Sequence, residues 1–142
     1  MNRFSDIPTV ISLPKLNDTK PSTHELLVIL DEWQKKYPFQ KEVIIFQNKE
    51  WLSNIRFTSN SFHELQKHSR GAENLPGTLI HPTEIWSYWD DPKVQMVTWR
   101  HYILIGSNIS YIVKTKDAVV MDAFAVTASQ VSRYRKGLLL LK

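Results

Sequence analysis

The sequence predicts an α+β domain in which a small antiparallel sheet, built by the C-terminal half, packs against N-terminal helices. Two observations carry that expectation. From Gln95 to Ile105 the side chains alternate, with Val97, Trp99, Ile103 and Ile105 on one side and Thr98, Arg100, Tyr102 and Leu104 on the other; this is the period of a strand. Earlier, Ser22 is followed three residues later by Glu25, and Leu26, Ile29, Leu30 and Trp33 then share one helical face. That is a capping box opening an amphipathic helix.

The elements follow in order. Residues 1–21 hold Pro8, Pro14 and Pro21 with little periodicity, so they read as an extended lead-in or linker to one domain over 22–142. The first helix ends at Tyr37-Pro38, because a residue before proline is pushed out of the helical region. Glu42 to Phe46 reads as a short buried strand, and Trp51 to Phe57 as a second strand or an irregular return. A second helix is expected from Ser61 to about Arg70, with Phe62, Leu65 and Ser69 inward, followed by a loop from Gly71 to Gly77. Pro82 suits the first position of a helix and Glu84 its first turn, so a short helix is expected through about Trp89, broken by Asp90-Asp91-Pro92. The strand over 95–105 turns at Gly106-Ser107-Asn108 into Ile109 to Lys114, and Lys116-Asp117 turns that into Val119 to Val126. The last run is apolar on both faces, as a covered central strand is. A short helix from Ser129 to Arg135 and an edge strand from Leu138 to Leu141 close the chain.

A length of 142 residues suits a single core. The chain has no cysteine, which excludes disulfides and thiolate chemistry. Its N-terminus lacks an apolar signal core, and no apolar run approaches the roughly 20 residues that span a bilayer; a soluble protein with no membrane partner is expected. The net charge of +4 and pI of about 9.3 favour an anionic partner such as RNA. The five histidines show no metal-ligand spacing and the four glycines no phosphate-cradling loop, so neither a metal nor a nucleotide cofactor is expected.

Cleaving RNA without a metal needs a base for the 2′-hydroxyl, an acid for the leaving 5′-oxygen and cations on the transition state. Histidine, arginine, lysine and tyrosine can fill all three roles. Arg100 and Tyr102 share one side of their strand and project into one cleft, or else form a solvated strand face. His68 flanks the inner stripe of its helix and reaches towards the sheet, or is a partly exposed helix histidine. His63, Lys67 and Arg70 form a basic stripe that contacts phosphates or simply faces water. Thr127 and Ser129 hydrogen-bond a phosphate or cap the helix after them. Arg133, Arg135 and Lys136 around Tyr134 resemble an RNA-gripping patch, or are the cations that a helix C-terminus favours. His101, on the apolar side of its strand, reads as a core histidine. Asp122 is the one charge in the run over 119–126; it orients a catalytic group or closes a structural ion pair.

A helix with histidines, then Pro82-Thr83-Glu84-Ile85-Trp86, Tyr102-Ile103, Val119-Val120 leading to Phe124, and Tyr134-Arg135-Lys136-Gly137 resemble phage- and prophage-associated nuclease domains. Those belong with barnase, EndoU, colicin D and RelE in one ribonuclease fold group. The resemblance covers about residues 60–142 and rests on short patterns. It implies a metal-independent endoribonuclease with His68 or His63 on the helix, Arg100 and Tyr102 on the first long strand and Thr127 near the third as catalytic residues, and Arg70, Arg133, Arg135 and Lys136 holding the substrate. Asp122-Ala123-Phe124 departs from the pattern, which has a hydroxyl before the aromatic residue. Such a toxin or effector, of phage, prophage or interbacterial origin, needs an immunity or antitoxin protein. The alternative is a non-catalytic RNA- or protein-binding module on the same fold.

Overall fold

Runs of consecutive strands separated by helices make up the described residues, which in the computed structural model are 22–141 apart from 52, 69–71, 90, 92 and 94–96. The expected lead-in over 1–21 lies outside them. Helix α1 (Thr23–Lys36) begins with the capping box read from the sequence: the Glu25 N–H donates to Ser22 Oγ at 3.1 Å and the Ser22 N–H to Glu25 Oε1 at 3.3 Å. Strands β1 (Phe39–Gln40), β2 (Val43–Asn48) and β3 (Ser53–Phe57) follow, then α2 (Ser59–His68). A 3-10 turn (Ala72–Asn74) leads into α3 (Leu75–Ile80). Strands β4 (Glu84–Trp89), β5 (Thr98–Leu104), β6 (Ile109–Lys116) and β7 (Val119–Thr127), a 3-10 helix (Ala128–Tyr134) and β8 (Leu138–Leu141) complete the chain.

The eight strands of the described residues form one sheet in the order β1-β2-β3-β7-β6-β5-β4-β8. It is mixed and larger than expected, because the N-terminal half contributes β1, β2 and β3 as well as helices. Every pairing is antiparallel except β3 on β7, where Arg56 lies beside Val119. The three segments expected to form the antiparallel centre do so as β5, β6 and β7, and the edge strand as β8.

The helices cover one face. Leu26 and Trp33 of α1, Leu65 of α2, and Leu75 and Leu79 of α3 meet Ile44, Phe46, Ile55, Phe57, Ile85, Tyr102, Val113 and Val120 of the sheet in the main core. On the other face the 3-10 helix covers a smaller cluster: Ile103, Ile112, Val126 and Val131, with Trp86, Phe124 and Tyr134 against it.

Two expected elements are replaced. Residues 82–89 are not a helix but precede and form β4, paired with β5 on one side and β8 on the other. A helix this short has little stability of its own, whereas aromatic and branched residues at Ile85, Trp86, Tyr88 and Trp89 suit a pleated surface. The expected loop over 71–77 contains the start of α3, with Pro76 in its first turn and Leu75 to Leu79 buried; proline serves a helix start here, not at Pro82. Trp99 and Phe124, which the sequence leads one to expect as buried core residues, are only partly buried. Both lie on the face that the 3-10 helix covers incompletely.

Gly137 joins the 3-10 helix to β8 with φ of +87°. A Cβ there would meet the Ser87 carbonyl oxygen and lie 2.7 Å from Tyr88 Cβ. Gly137→Ala should therefore cost at least about 1–2 kcal/mol, from the left-handed backbone alone, as read by urea unfolding. A variant as stable as the parent would contradict this close approach of β8 to β4.

Candidate active site on the outer face of the sheet

The register of the strands sets side chains in rows. Residues directly opposite each other in an antiparallel pair share a face. One row on the outer face is Trp86 (β4), His101 (β5), Lys114 (β6) and Asp122 (β7); beside it runs Tyr88, Trp99 and Lys116. The segment after the 3-10 helix then folds back over these rows.

His101 is the centre of the group. It is 4% exposed, yet both ring nitrogens have partners. Nδ1 is 2.8 Å from the Tyr134 carbonyl oxygen and Nε2 is 3.3 Å from the Tyr88 hydroxyl. A carbonyl can only accept, so Nδ1 carries the proton and the neutral ring presents Nε2 as an acceptor to Tyr88. Burial pushes the His101 pKa below its ordinary value, Lys114 and Lys136 add to that, and the Tyr134 carbonyl opposes it. The rings of Tyr88 and Tyr134 meet the imidazole edge-on, with centroids at 5.1 and 5.7 Å.

Cations surround this pair. Lys136 Nζ lies 4.6 Å from the Tyr88 ring centroid, and Lys114 and Lys116 lie 4.7 and 5.7 Å from that of Trp99. The Trp99 Nε1–H is buried and has no acceptor among the described residues. Between Tyr134 and Lys136, Arg135 clasps Glu84 through Nε at 2.8 Å and Nη2 at 2.9 Å. Glu84 also accepts from Trp86 Nε1 at 2.9 Å. This forked pair pins the segment that supplies both the carbonyl oriented on His101 and the ammonium over Tyr88. Asp122 lies opposite Lys114 and accepts the N–H of Ala123 at 2.9 Å.

The residues named from sequence fall in different places. Arg100 and Tyr102 do share a face, but it is the one under the helices. Tyr102 is 1% exposed within the main core, so it faces neither a cleft nor solvent. Arg100 is half-buried, and its Nη1 donates to Ser53 Oγ at 3.3 Å. His63 is exposed on α2. His68 ends α2, its side chain lies outside the described residues, and Arg70 lies outside them entirely. Thr127 caps the 3-10 helix: its N–H donates to Gln130 Oε1 at 3.0 Å and its Oγ1 is 3.1 Å from Ser129 Oγ. Arg133 is exposed, Arg135 is the partner of Glu84, and Lys136 joins the cluster.

The sequence does not single out Tyr88 and Lys114, whereas His101 is the buried, hydrogen-bonded histidine that its strand position predicts. A strand in place of a helix over 84–89 is the signal that finds them, because it sets Trp86 opposite His101 and Tyr88 opposite Trp99. Among the described residues, no group of three or more His, Asp or Glu side chains could hold a metal ion, and no helix is long and apolar enough to cross a membrane. No protein-family model, curated protein or solved structure matches the chain.

Proposed function

We propose that the protein is a metal-independent endoribonuclease that binds single-stranded RNA on the outer face of its sheet. The observation that carries this reading is the neutral His101, whose Nε2 acceptor meets the Tyr88 hydroxyl beside Lys114 and Lys136. Aromatic side chains on a sheet stack unpaired bases, and lysines between them hold the phosphates. Trp99, Tyr88 and the three lysines have that composition.

The chemistry is a transesterification. The 2′-hydroxyl gives its proton to the Tyr88 oxygen as the Tyr88 proton passes to His101 Nε2. The 2′-oxygen attacks phosphorus, the bond to the 5′-oxygen breaks, and the Lys136 ammonium protonates the leaving oxygen. Lys114 stabilises the charge on the phosphorane-like transition state. The products are a 2′,3′-cyclic phosphate and a 5′-hydroxyl. This is the activity implied by the resemblance to the barnase, EndoU, colicin D and RelE group, with the reacting residues moved from Arg100 and Tyr102 to the opposite face. A toxin or effector of phage, prophage or interbacterial origin, held in check by an immunity or antitoxin protein, is the setting such an activity suits.

Purified protein incubated with total tRNA and rRNA in EDTA should yield those ends, and cleavage should weaken steeply with salt. RNA that is bound but left intact would replace this reading with the non-catalytic binding module, which the 4% exposure of His101 favours. RNA neither bound nor cut would overturn both.

A further inference from the structure

On the reading that His101 and Tyr88 are the reacting groups, we propose that residues 132–137 form a strap that opens over them, with the ion pair between Arg135 and Glu84 as its latch. At 4% exposure His101 is closed to any ligand while the strap lies in place. A reaction centre that is covered in the folded chain needs a part that moves, and short covering segments supply that part in many enzymes.

The segment has anchors at both ends and little between them. Val131 is buried before it, and Leu140 packs against the main core after it. Between these, Ser132, Arg133, Arg135, Lys136 and Gly137 are exposed and Tyr134 is half-buried. Its first residues are the last turn of a 3-10 helix, whose hydrogen bonds are poorly aligned, and the Arg135 N–H donates to the Ser132 carbonyl at a long 3.3 Å. Such segments open at low free energy while the rest of a fold stays intact. Among the described residues, three polar ties hold the strap to the sheet. The Tyr134 carbonyl meets His101 Nδ1 at 2.8 Å, the Lys136 ammonium lies 4.6 Å from the Tyr88 ring centroid, and Arg135 forks onto Glu84 at 2.8 and 2.9 Å. The last is the strongest, since a charged, two-pronged pair exceeds a neutral hydrogen bond. Its two halves differ in setting. Glu84 is fixed on the sheet by Trp86 Nε1 and its side chain is 11% exposed, whereas that of Arg135 is 38% exposed and travels with the strap.

Diethyl pyrocarbonate acylates a neutral imidazole nitrogen that it can reach, so it reads the opening on the full chain with no RNA present. Mass spectrometry of the peptide that carries His101 gives the rate. Glu84→Gln keeps the shape and the acceptor for Trp86 Nε1 but not the charge, and should speed labelling of His101 about 10-fold. Arg135→Lys keeps the charge without the fork and should fall between the parent and Glu84→Gln. Lys35→Ala, which breaks the exposed pair with Asp31 on α1, should label at the parent's rate. In the parent the rate should hardly change with urea below the unfolding transition, because a strap of this size exposes little surface. If Glu84→Gln does not fold, Arg135→Gln takes its place beside Arg135→Lys. Labelling that is absent or unchanged in these latch variants, or that climbs with urea in step with global unfolding, overturns the strap. The nuclease reading fails separately: a chain that labels as expected and never cuts RNA keeps the strap and loses the nuclease, and RNA cut without faster labelling does the reverse.

Discussion

Exchanging His101 for asparagine should lower RNA cleavage by about 100- to 10,000-fold, the contribution of one acid–base group, with RNA affinity close to the parent's. Asparagine is the informative choice. Its Nδ2 can stand where Nδ1 donates to the Tyr134 carbonyl at 2.8 Å, so the contact that orders residues 134–136 is kept while the Nε2 acceptor disappears. Tyr88→Phe should give a loss of similar size, and the double variant should be no worse than either single one, because the two act as a unit. A variant that folds and cleaves as the parent does would remove His101 from the mechanism.

The same residue sets a pH dependence of stability. Its pKa in the folded chain lies below the ordinary 6.5, so near and below pH 6.5 the unfolded chain takes up a proton that the folded chain resists. Stability should be complete above that pH and fall as pH drops towards the folded value. The decline should be shallower in His101→Asn, measured by urea unfolding at pH 5 and pH 8.

Phe46→Ala should cost about 3–5 kcal/mol, the usual range for emptying a buried aromatic site. Phe46 is 0% exposed at the middle of β2. Its ring meets Trp33 of α1 at 5.6 Å and Tyr37 at 4.9 Å between centroids, both edge-on. The truncation therefore loosens the docking of α1 as well as leaving a cavity. Urea unfolding should show a lower midpoint at an unchanged slope, and a loss below about 1 kcal/mol would contradict the central place of Phe46.

Local signals in the sequence marked α1 well, because a capping box and a run of apolar residues agree there. They marked β5, β6 and β7 for the same reason: alternation and turn residues coincide. Two things stayed out of reach. The partner of a strand is set by distant residues, so nothing local announced that β3 would join β7, or that both edges of β4 would be paired. Proline was the second difficulty, since its fixed backbone angle suits the start of a helix and the entry to a strand alike; Pro76 takes the first role and Pro82 the second. A helix expected over 84–89 also conceals the site. With those residues on a helix, Tyr88 has no fixed relation to His101, and attention falls on Arg100 and Tyr102, which have the right chemistry on the covered face.

The join between β3 and β7 has a kinetic meaning. Strands β4 to β7 are neighbours in sequence, linked by short connections, so their pairing closes small loops. Joining β3 to β7 brings together Arg56 and Val119, far apart along the chain, for a short parallel stretch held by the Arg56 N–H on the Ala118 carbonyl at 2.8 Å. Distant pairings bear the larger loop-closure entropy and form late in folding. The sheet is thus two runs of consecutive strands meeting at a short seam, and local opening in the native state is drawn to such sparsely bonded places. Parting there would free β1, β2 and β3 while leaving β4 to β8 paired, so the surface bearing His101 can outlast the order of the N-terminal strands.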